Sequence, residues 1–417
     1  MYPRVGLGIA FLSILVVACS SRSHRTKVFN VKTYGATGNS RADMNSKAFL
    51  KAWTESCKWS GKSSVLIPKG TYHLGSIVLK GPCNGRKEFV IKGMLRSPNQ
   101  PSTFFIDHWI TFQNINNLRI HGGGTLDGQG ASAWPYNKCK TGSCKPLPVI
   151  TERSATVVFN YFKFWNDQQS LRLDFVNDSE ISNIKSLNSK NFHFNLFACN
   201  RVNIRQVTLS APADSPNTDG IHVSSSGNIN IDKSVISTGD DCVSIGPGNR
   251  DIHITNTFCG PGHGISVGSM GKSGTKEDVT SISVVNCTFR GTLNGVQIKT
   301  WPEPTAAGGF ASNFTYDNIL MENVDNPIFI NQQYCPFNLC NPQGSSKIQI
   351  SNILFRNIWG TSTTKDAVKL KCSKSNPCHN IALENINLIG PGGVASSSCS
   401  NVHGRSLGRQ KPPSCLS

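Results

Sequence analysis

Acidic residues are scarce in this chain: 24 Asp and Glu stand against 42 Lys and Arg, a formal net charge of +18, and charged residues make up only 16% of 417 positions. Little charge overall and 38% hydrophobic content argue for a folded chain long enough to bury a substantial core. The excess of base is spread along the chain, which favours a polyanionic partner through steering and counterion release. Charge alone leaves nucleic acid, an anionic polysaccharide and an acidic membrane surface open. Paired zinc-finger spacing and a long basic helix are both missing, so the common nucleic-acid modules are excluded. Long apolar runs are missing too, except for Val5 to Cys19 between Arg4 and polar Ser20 to His24. A membrane helix needs about 20 apolar residues. The run is therefore expected to be the core of a secretory signal over residues 1–22, with a lipid on Cys19 as the alternative and no membrane anchor in the mature chain.

Helical periodicity is also scarce. Only Ala48 to Cys57 reads as an amphipathic helix, with Phe49, Ala52 and Trp53 on one face. Strand patterns take its place, beginning at Phe29 to Ala36 and Val65 to Tyr72. They recur as Asn203 to Ser210, Asn228 to Ser237, Asp251 to Cys259, Ser281 to Phe289, Asn313 to Met321, Lys347 to Phe355 and Asn380 to Leu388. Successive segments start 25, 23, 30, 32, 34 and 33 residues apart, separated by Gly, Asn and Ser. The blades of a β-propeller need a longer unit of about 40 to 50 residues. The pattern predicts an all-β, right-handed parallel β-helix over residues 23–417, each repeat one coil, with the helix capping the N-terminal end and asparagines satisfying backbone groups at the turns.

Once the signal is removed, 14 of the 15 cysteines remain, an even number that suits an oxidised, extracellular protein. Pairs near in sequence are Cys139/Cys144, Cys242/Cys259, Cys335/Cys340 and Cys372/Cys378. A metal site is the rival reading, disfavoured by irregular spacing without accompanying histidines. Asn177, Asn286 and Asn313 head glycosylation sequons.

Three short motifs stand out: Asn217-Thr218-Asp219, Gly239-Asp240-Asp241 and Gly262-His263-Gly264. Asp219 precedes Asp240 by 21 residues and Asp241 precedes His263 by 22, close to one coil, so the solenoid would stack three carboxylates and an imidazole in one cleft. Adjacent aspartates in a strand face opposite ways, so a bend is expected there, with Gly239 supplying the freedom. Alternation in Val296 to Trp301 puts Gln297, Lys299 and Trp301 on the face opposite Val296, Ile298 and Thr300, expected to be the solvent side and to suit an anionic sugar.

These motifs, with Ile298-Lys299 as the end of a fourth, resemble the signature of the polygalacturonase family of glycoside hydrolases. The text around them, including Ser215 to Val223, Gly239 to Gly248, Cys259 to Ser269 and Gln333-Tyr334-Cys335-Pro336, is similar to plant exopolygalacturonases of pollen, over about Phe29 to Cys415. The resemblance implies a parallel β-helix that hydrolyses α-1,4-linked galacturonate in de-esterified homogalacturonan with inversion, without a metal or other cofactor. It makes Asp240 the general acid and has Asp219 and Asp241 orient and deprotonate water. His263 keeps the acid protonated and oriented, while Lys299, Gln297, Asn217 and Tyr334 contact substrate. It also implies a secreted, monomeric wall enzyme, exo-acting in preference to endo-acting, and an allergen if expressed in pollen. Gln297 departs from the pattern, since the family has arginine there; an amide cannot form the charged bidentate fork. A weakly active or non-catalytic pectin-binding protein is the competing expectation, and a calcium-dependent lyase on a similar solenoid is a third.

Overall fold

The computed structural model describes residues 26–100, 108–137, 168–336, 340 and 344–416. The signal segment 1–22, and Cys139 and Cys144 with their expected disulfide, lie outside the described residues. Every strand pairing is parallel and joins one coil to the next, as in Asn200–Arg205 on Gly227–Asp232, then Asn249–Thr255, then Glu277–Val285. This is the expected parallel β-helix. Its register stacks like on like: Ile204, Ile231, Ile254, Val284, Tyr316, Phe355 and Leu383 form one buried column through successive coils. Coil length varies because the turns absorb insertions, whereas the inward-pointing residues keep step. The rings of Tyr316 and Phe355 stack at 5.1 Å in that column.

Asparagines occupy the turns, as expected, in left-handed conformations, but along one ladder their side chains bond one another and not the backbone groups expected. Asn313, Asn352 and Asn380 all have positive φ, and their amides form a ladder from coil to coil: Asn380 Nδ2 donates to Asn352 Oδ1 at 2.8 Å, Asn352 Nδ2 to Asn313 Oδ1 at 3.2 Å and Asn313 Nδ2 to Thr280 Oγ1 at 3.4 Å. A short polar side chain tolerates that backbone and bridges neighbouring turns at once. The sequon residues Asn286 and Asn313 are exposed on such turns, while Asn177 is half-buried and donates to Asn116 Oδ1 at 3.1 Å.

The capping helix, Ala42–Lys58, starts six residues before the sequence expectation. Its first turns bury polar groups that carry no apolar stripe: Asn45 donates to the carbonyls of Thr37 and His73 and accepts from Thr37 N. Phe49, Ala52 and Trp53 cover the open end of the solenoid, Trp53 packing edge-on to Phe112 at 5.5 Å and donating to Lys80 O. Disulfides join Cys57–Cys83, Cys242–Cys259, Cys335–Cys340, Cys372–Cys378 and Cys399–Cys415. The even count does not mean full pairing, because Cys199 and Cys287 are free thiols inside the core column, pushed up to about 12 by burial.

Candidate active site

Strand register brings the three motifs together. Ile221 pairs with Val243 and Val243 with Ile265, which places Asp219 beside Asp241 and Asp241 beside His263, each two positions upstream. Asp240 and Asp241 lie in a bent segment between strands, where the chain turns as expected. The reason for Gly239 differs from the expectation. Its φ is not positive; a Cβ there would lie 2.1 Å from the carbonyl oxygen of Ser215, so the close approach of two coils leaves no room for a side chain unless the segment shifts. Gly262 does have a left-handed φ of 132°, and a Cβ there would meet the Asp240 carbonyl at 2.5 Å. Backbone bonds fix the arrangement, with His263 N donating to Asp240 O at 2.8 Å and Gly220 N to Asp241 O at 2.9 Å. The Cys242–Cys259 disulfide ties the aspartate segment to the coil leading into His263.

Asp240 and His263 form the accessible pair. Asp240 Oδ1 lies 3.0 Å from His263 Nδ1, with side chains 21% and 39% exposed. Asp219 and Asp241 are buried behind them. Asp241 Oδ2 accepts from Lys299 Nζ at 2.8 Å and its Oδ1 from Ser266 Oγ at 2.8 Å; Asp219 Oδ2 accepts from Ser244 Oγ at 2.6 Å.

Burial, with the charges of Asp240 and Asp241, holds Asp219 well above the usual carboxylate range. Burial also raises Asp241, with Lys299 pulling the other way and only partly succeeding. Burial alone would raise Asp240 as well, yet the hydrogen bond and charge of His263, helped by Lys299, outweigh it and hold Asp240 low. His263 is correspondingly raised by Asp240 and Asp241 against its own burial, and Lys299 by Asp241 against its burial. The hydrogen bond between Asp240 and His263 draws the carboxyl down and the imidazole up, which favours the ionised carboxyl and the protonated imidazole in the free cleft. One ligand atom each from Asp240, Asp241 and His263 falls within 4.8 Å of the others, a spacing that could hold a cation. The Lys299 ammonium and His263 already supply positive charge at that spot.

The fourth motif departs from expectation. Gln297 is buried, not on the solvent side; its Oε1 accepts from Asn294 Nδ2 at 3.2 Å and lies 3.3 Å from Ser266 Oγ, whose one proton goes to Asp241. Neighbouring coils close over strand Asn294–Thr300, and only Lys299 is more than marginally exposed there. Trp301 is buried too, edge-on to Tyr334 at 5.6 Å and beneath Lys272 Nζ at 4.4 Å, so it packs instead of offering a stacking face. Tyr334 lies with its ring 5.5 Å from Lys299 Nζ. Asn217 accepts from Asn137 Nδ2 at 2.9 Å, beside an open groove lined by Trp134, Asn137, Asp214, Ser215 and Pro216.

Sequence reasoning missed His222, Ser244 and Ser266. A signal was present: each follows a motif residue, Asp219, Asp241 or His263, by three positions. They pair in register along one row that continues to Gln297.

The profile of glycosyl hydrolases family 28 matches residues 57–415. An exopolygalacturonase of Platanus acerifolia is 44% identical over 389 residues, covering 92% of this chain and 97% of that one. Among solved structures, an exopolygalacturonase of Thermotoga maritima superposes with a TM-score of 0.74 at 20% identity, covering 91% of each chain. An endo-xylogalacturonan hydrolase of Aspergillus tubingensis gives 0.73 at 21% identity over 92% of this chain and 99% of that one, so exo- and endo-acting enzymes share the fold. The extent of the family match, with the conserved-length alignment to a plant relative, makes this chain a member of glycosyl hydrolases family 28 and a hydrolase of the polygalacturonase type.

Proposed function

We propose that the enzyme hydrolyses α-1,4-galacturonosidic bonds of de-esterified homogalacturonan from a chain end, releasing galacturonic acid with inversion. The observation that carries this reading is the convergence of Asp219, Asp240, Asp241 and His263 on one face, with Lys299 beside them. Asp240, the most exposed carboxyl of the group, donates the proton to the leaving oxygen. Asp219 and Asp241, fixed by Ser244, Ser266 and Lys299, orient and deprotonate the attacking water. His263 holds Asp240 low in the free cleft, so Asp240 as general acid must gain its proton on binding. A substrate carboxylate entering the cleft adds negative charge and displaces water, and both push Asp240 upward while His263 holds a proton at hydrogen-bond distance.

The net charge of +18 suits a polyuronate substrate. Lys299 serves the site chiefly by neutralising Asp241 and turns the remainder of its field toward a uronate. Similarity to the plane-tree exopolygalacturonase supports exo over endo action. The expected leader over residues 1–22, a single catalytic solenoid over 23–417 and the five disulfides among the described residues fit a monomer exported to the cell wall.

A reducing-end assay of the mature protein on polygalacturonate, with products sized by chromatography, tests the reading. Monomer as sole early product, lost in Asp240→Asn, is the expected result. A ladder of oligomers makes the enzyme endo-acting, and saturable binding without turnover makes it a pectin-binding protein.

A further inference from the structure

His222 lies outside the motifs, yet it ends a hydrogen-bonded chain that leads to the water-activating carboxylates. Its Nδ1 is 2.8 Å from Ser244 Oγ, and Ser244 Oγ donates to Asp219 Oδ2 at 2.6 Å. The ring is half-buried and stacks on Phe192 at 4.6 Å with 20° between planes, so it has little freedom to turn away. Strand register puts His222 directly beside Ser244 in the neighbouring coil, a contact made by the solenoid backbone and not by a loop.

Proton counting gives this chain a direction. A serine hydroxyl carries one proton, and an ionised carboxylate can only accept. While Asp219 is ionised, the Ser244 proton is committed to it, and Ser244 can then only accept from His222. Nδ1 must carry hydrogen. With a neutral ring, Nε2 is then bare. We propose that His222 is a positioning residue for hydrolysis: as the Nδ1–H tautomer it locks the Ser244 hydroxyl onto Asp219, keeping that carboxylate charged and aimed at the attacking water. The environment agrees, because burial, with the nearby Lys299 charge, lowers the His222 ring to about 4 and so keeps it neutral in ordinary working conditions. The hydrogen bond from Ser244 is also the first of the influences that oppose the upward push on Asp219. Without the imidazole donor, the hydroxyl is free to rotate and Asp219 drifts toward its protonated form.

This inference rests on the reading of Asp219 as a water-orienting carboxylate, so its test combines an activity arm with one independent of turnover. In the first arm, His222→Phe keeps the ring against Phe192 but has no donor, whereas His222→Asn places an amide N–H where Nδ1 was and loses the ring. His222→Phe is expected to lower kcat on polygalacturonate by about tenfold or more with KM changed less than about twofold, because loss of its bond to Ser244 loosens the Ser244 bond to the Asp219 carboxylate. His222→Asn is expected to recover most of that kcat. A merely stacking role reverses the order, with His222→Phe active and His222→Asn impaired, and overturns the proposal. In the second arm, nitrogen-15 NMR of histidine-labelled parent enzyme, with the His222 signal assigned by its loss in His222→Asn, reads the tautomer. A neutral ring protonated at Nδ1 supports the proposal, and protonation at Nε2 alone overturns it. The second arm decides even if His222→Phe fails to fold. A parent enzyme without turnover would remove the hydrolase reading and still leave the tautomer to be measured.

Discussion

Lys299 keeps two negative groups workable in a nearly dry place. Its ammonium, 12% exposed, sits 2.8 Å from an Asp241 carboxylate that is 3% exposed, and without it Asp241 would be buried among like charges with no cation in contact. Lys299→Met is therefore expected to lower kcat by about 100-fold, a loss typical of removing one charged contact from a site. The sign of the pH effect follows from the cause. Lys299 pulls Asp241 down, so its removal lets Asp241 keep a proton to higher pH, and the acid limb of the kcat profile moves upward. A profile that loses height without moving would contradict this role. Gln297 is the other informative position. Its oxygen is held by Asn294, and it brings no charge to a uronate. Gln297→Arg is expected to lower KM on polygalacturonate by about tenfold or more, the difference between a neutral and a charge-assisted bond, which initial-rate kinetics will show.

The coil explains why motifs scattered through the sequence share a site, and also which parts of that site the sequence concealed. Asp219, Asp240, Asp241 and His263 were legible because their spacing equals a coil and two of their motifs contain glycine. The stacked core was legible for the same reason, as alternation marks inward residues whatever the turn length. His222, Ser244 and Ser266 were not, because alone each reads as an ordinary strand residue; their common offset of three from a motif residue gains meaning only with the register that sets them in one row. Burial of Gln297 and Trp301 was hidden because alternation tells the two faces apart but does not say how far neighbouring coils cover the outer one. The helix start was missed because Asn45 is buried for its hydrogen bonds and not for its hydrophobicity. Close packing of coils also predicts the response to Gly239→Ala. With Ser215 O only 2.1 Å from the added Cβ, the aspartate segment must shift. Turnover is expected to fall by about 100-fold, since displacement of about 1 Å is enough for that loss, while the melting temperature of so large a solenoid drops by only a few degrees; parallel kinetics and thermal melts check both.

At the scale of the whole molecule, a buried histidine makes the fold sensitive to acid. His193 is fully buried, its Nδ1 2.8 Å from Ser186 Oγ, and burial lowers its ring to about 3. Its ordinary value near 6.5 returns on unfolding, so between about 6.5 and 3 the unfolded chain binds a proton that the native chain refuses. Its contribution to stability is complete above that window and declines as pH falls through it, by about 1.4 kcal/mol per unit. Asp219 and Asp241, raised in the fold, contribute with the opposite sign. The comparison that isolates the histidine is with His193→Asn: urea unfolding at pH 4.5 and 7 is expected to show a smaller loss of stability on acidification in the variant than in the parent. The central claim concerns chemistry. Asp240 and Asp241 present oxygens within 4.8 Å of each other, closer than the separation of about 6.5 to 9.5 Å usual for an inverting pair. In the proposed reaction a third carboxylate, Asp219, held by Ser244, would supply the water site that a simple pair at this distance lacks. Proton NMR of the earliest product from polygalacturonate decides the matter most directly: the account predicts that the β-anomer of galacturonate forms first and then mutarotates. First formation of the α-anomer, or of an unsaturated product absorbing in the ultraviolet, would contradict it.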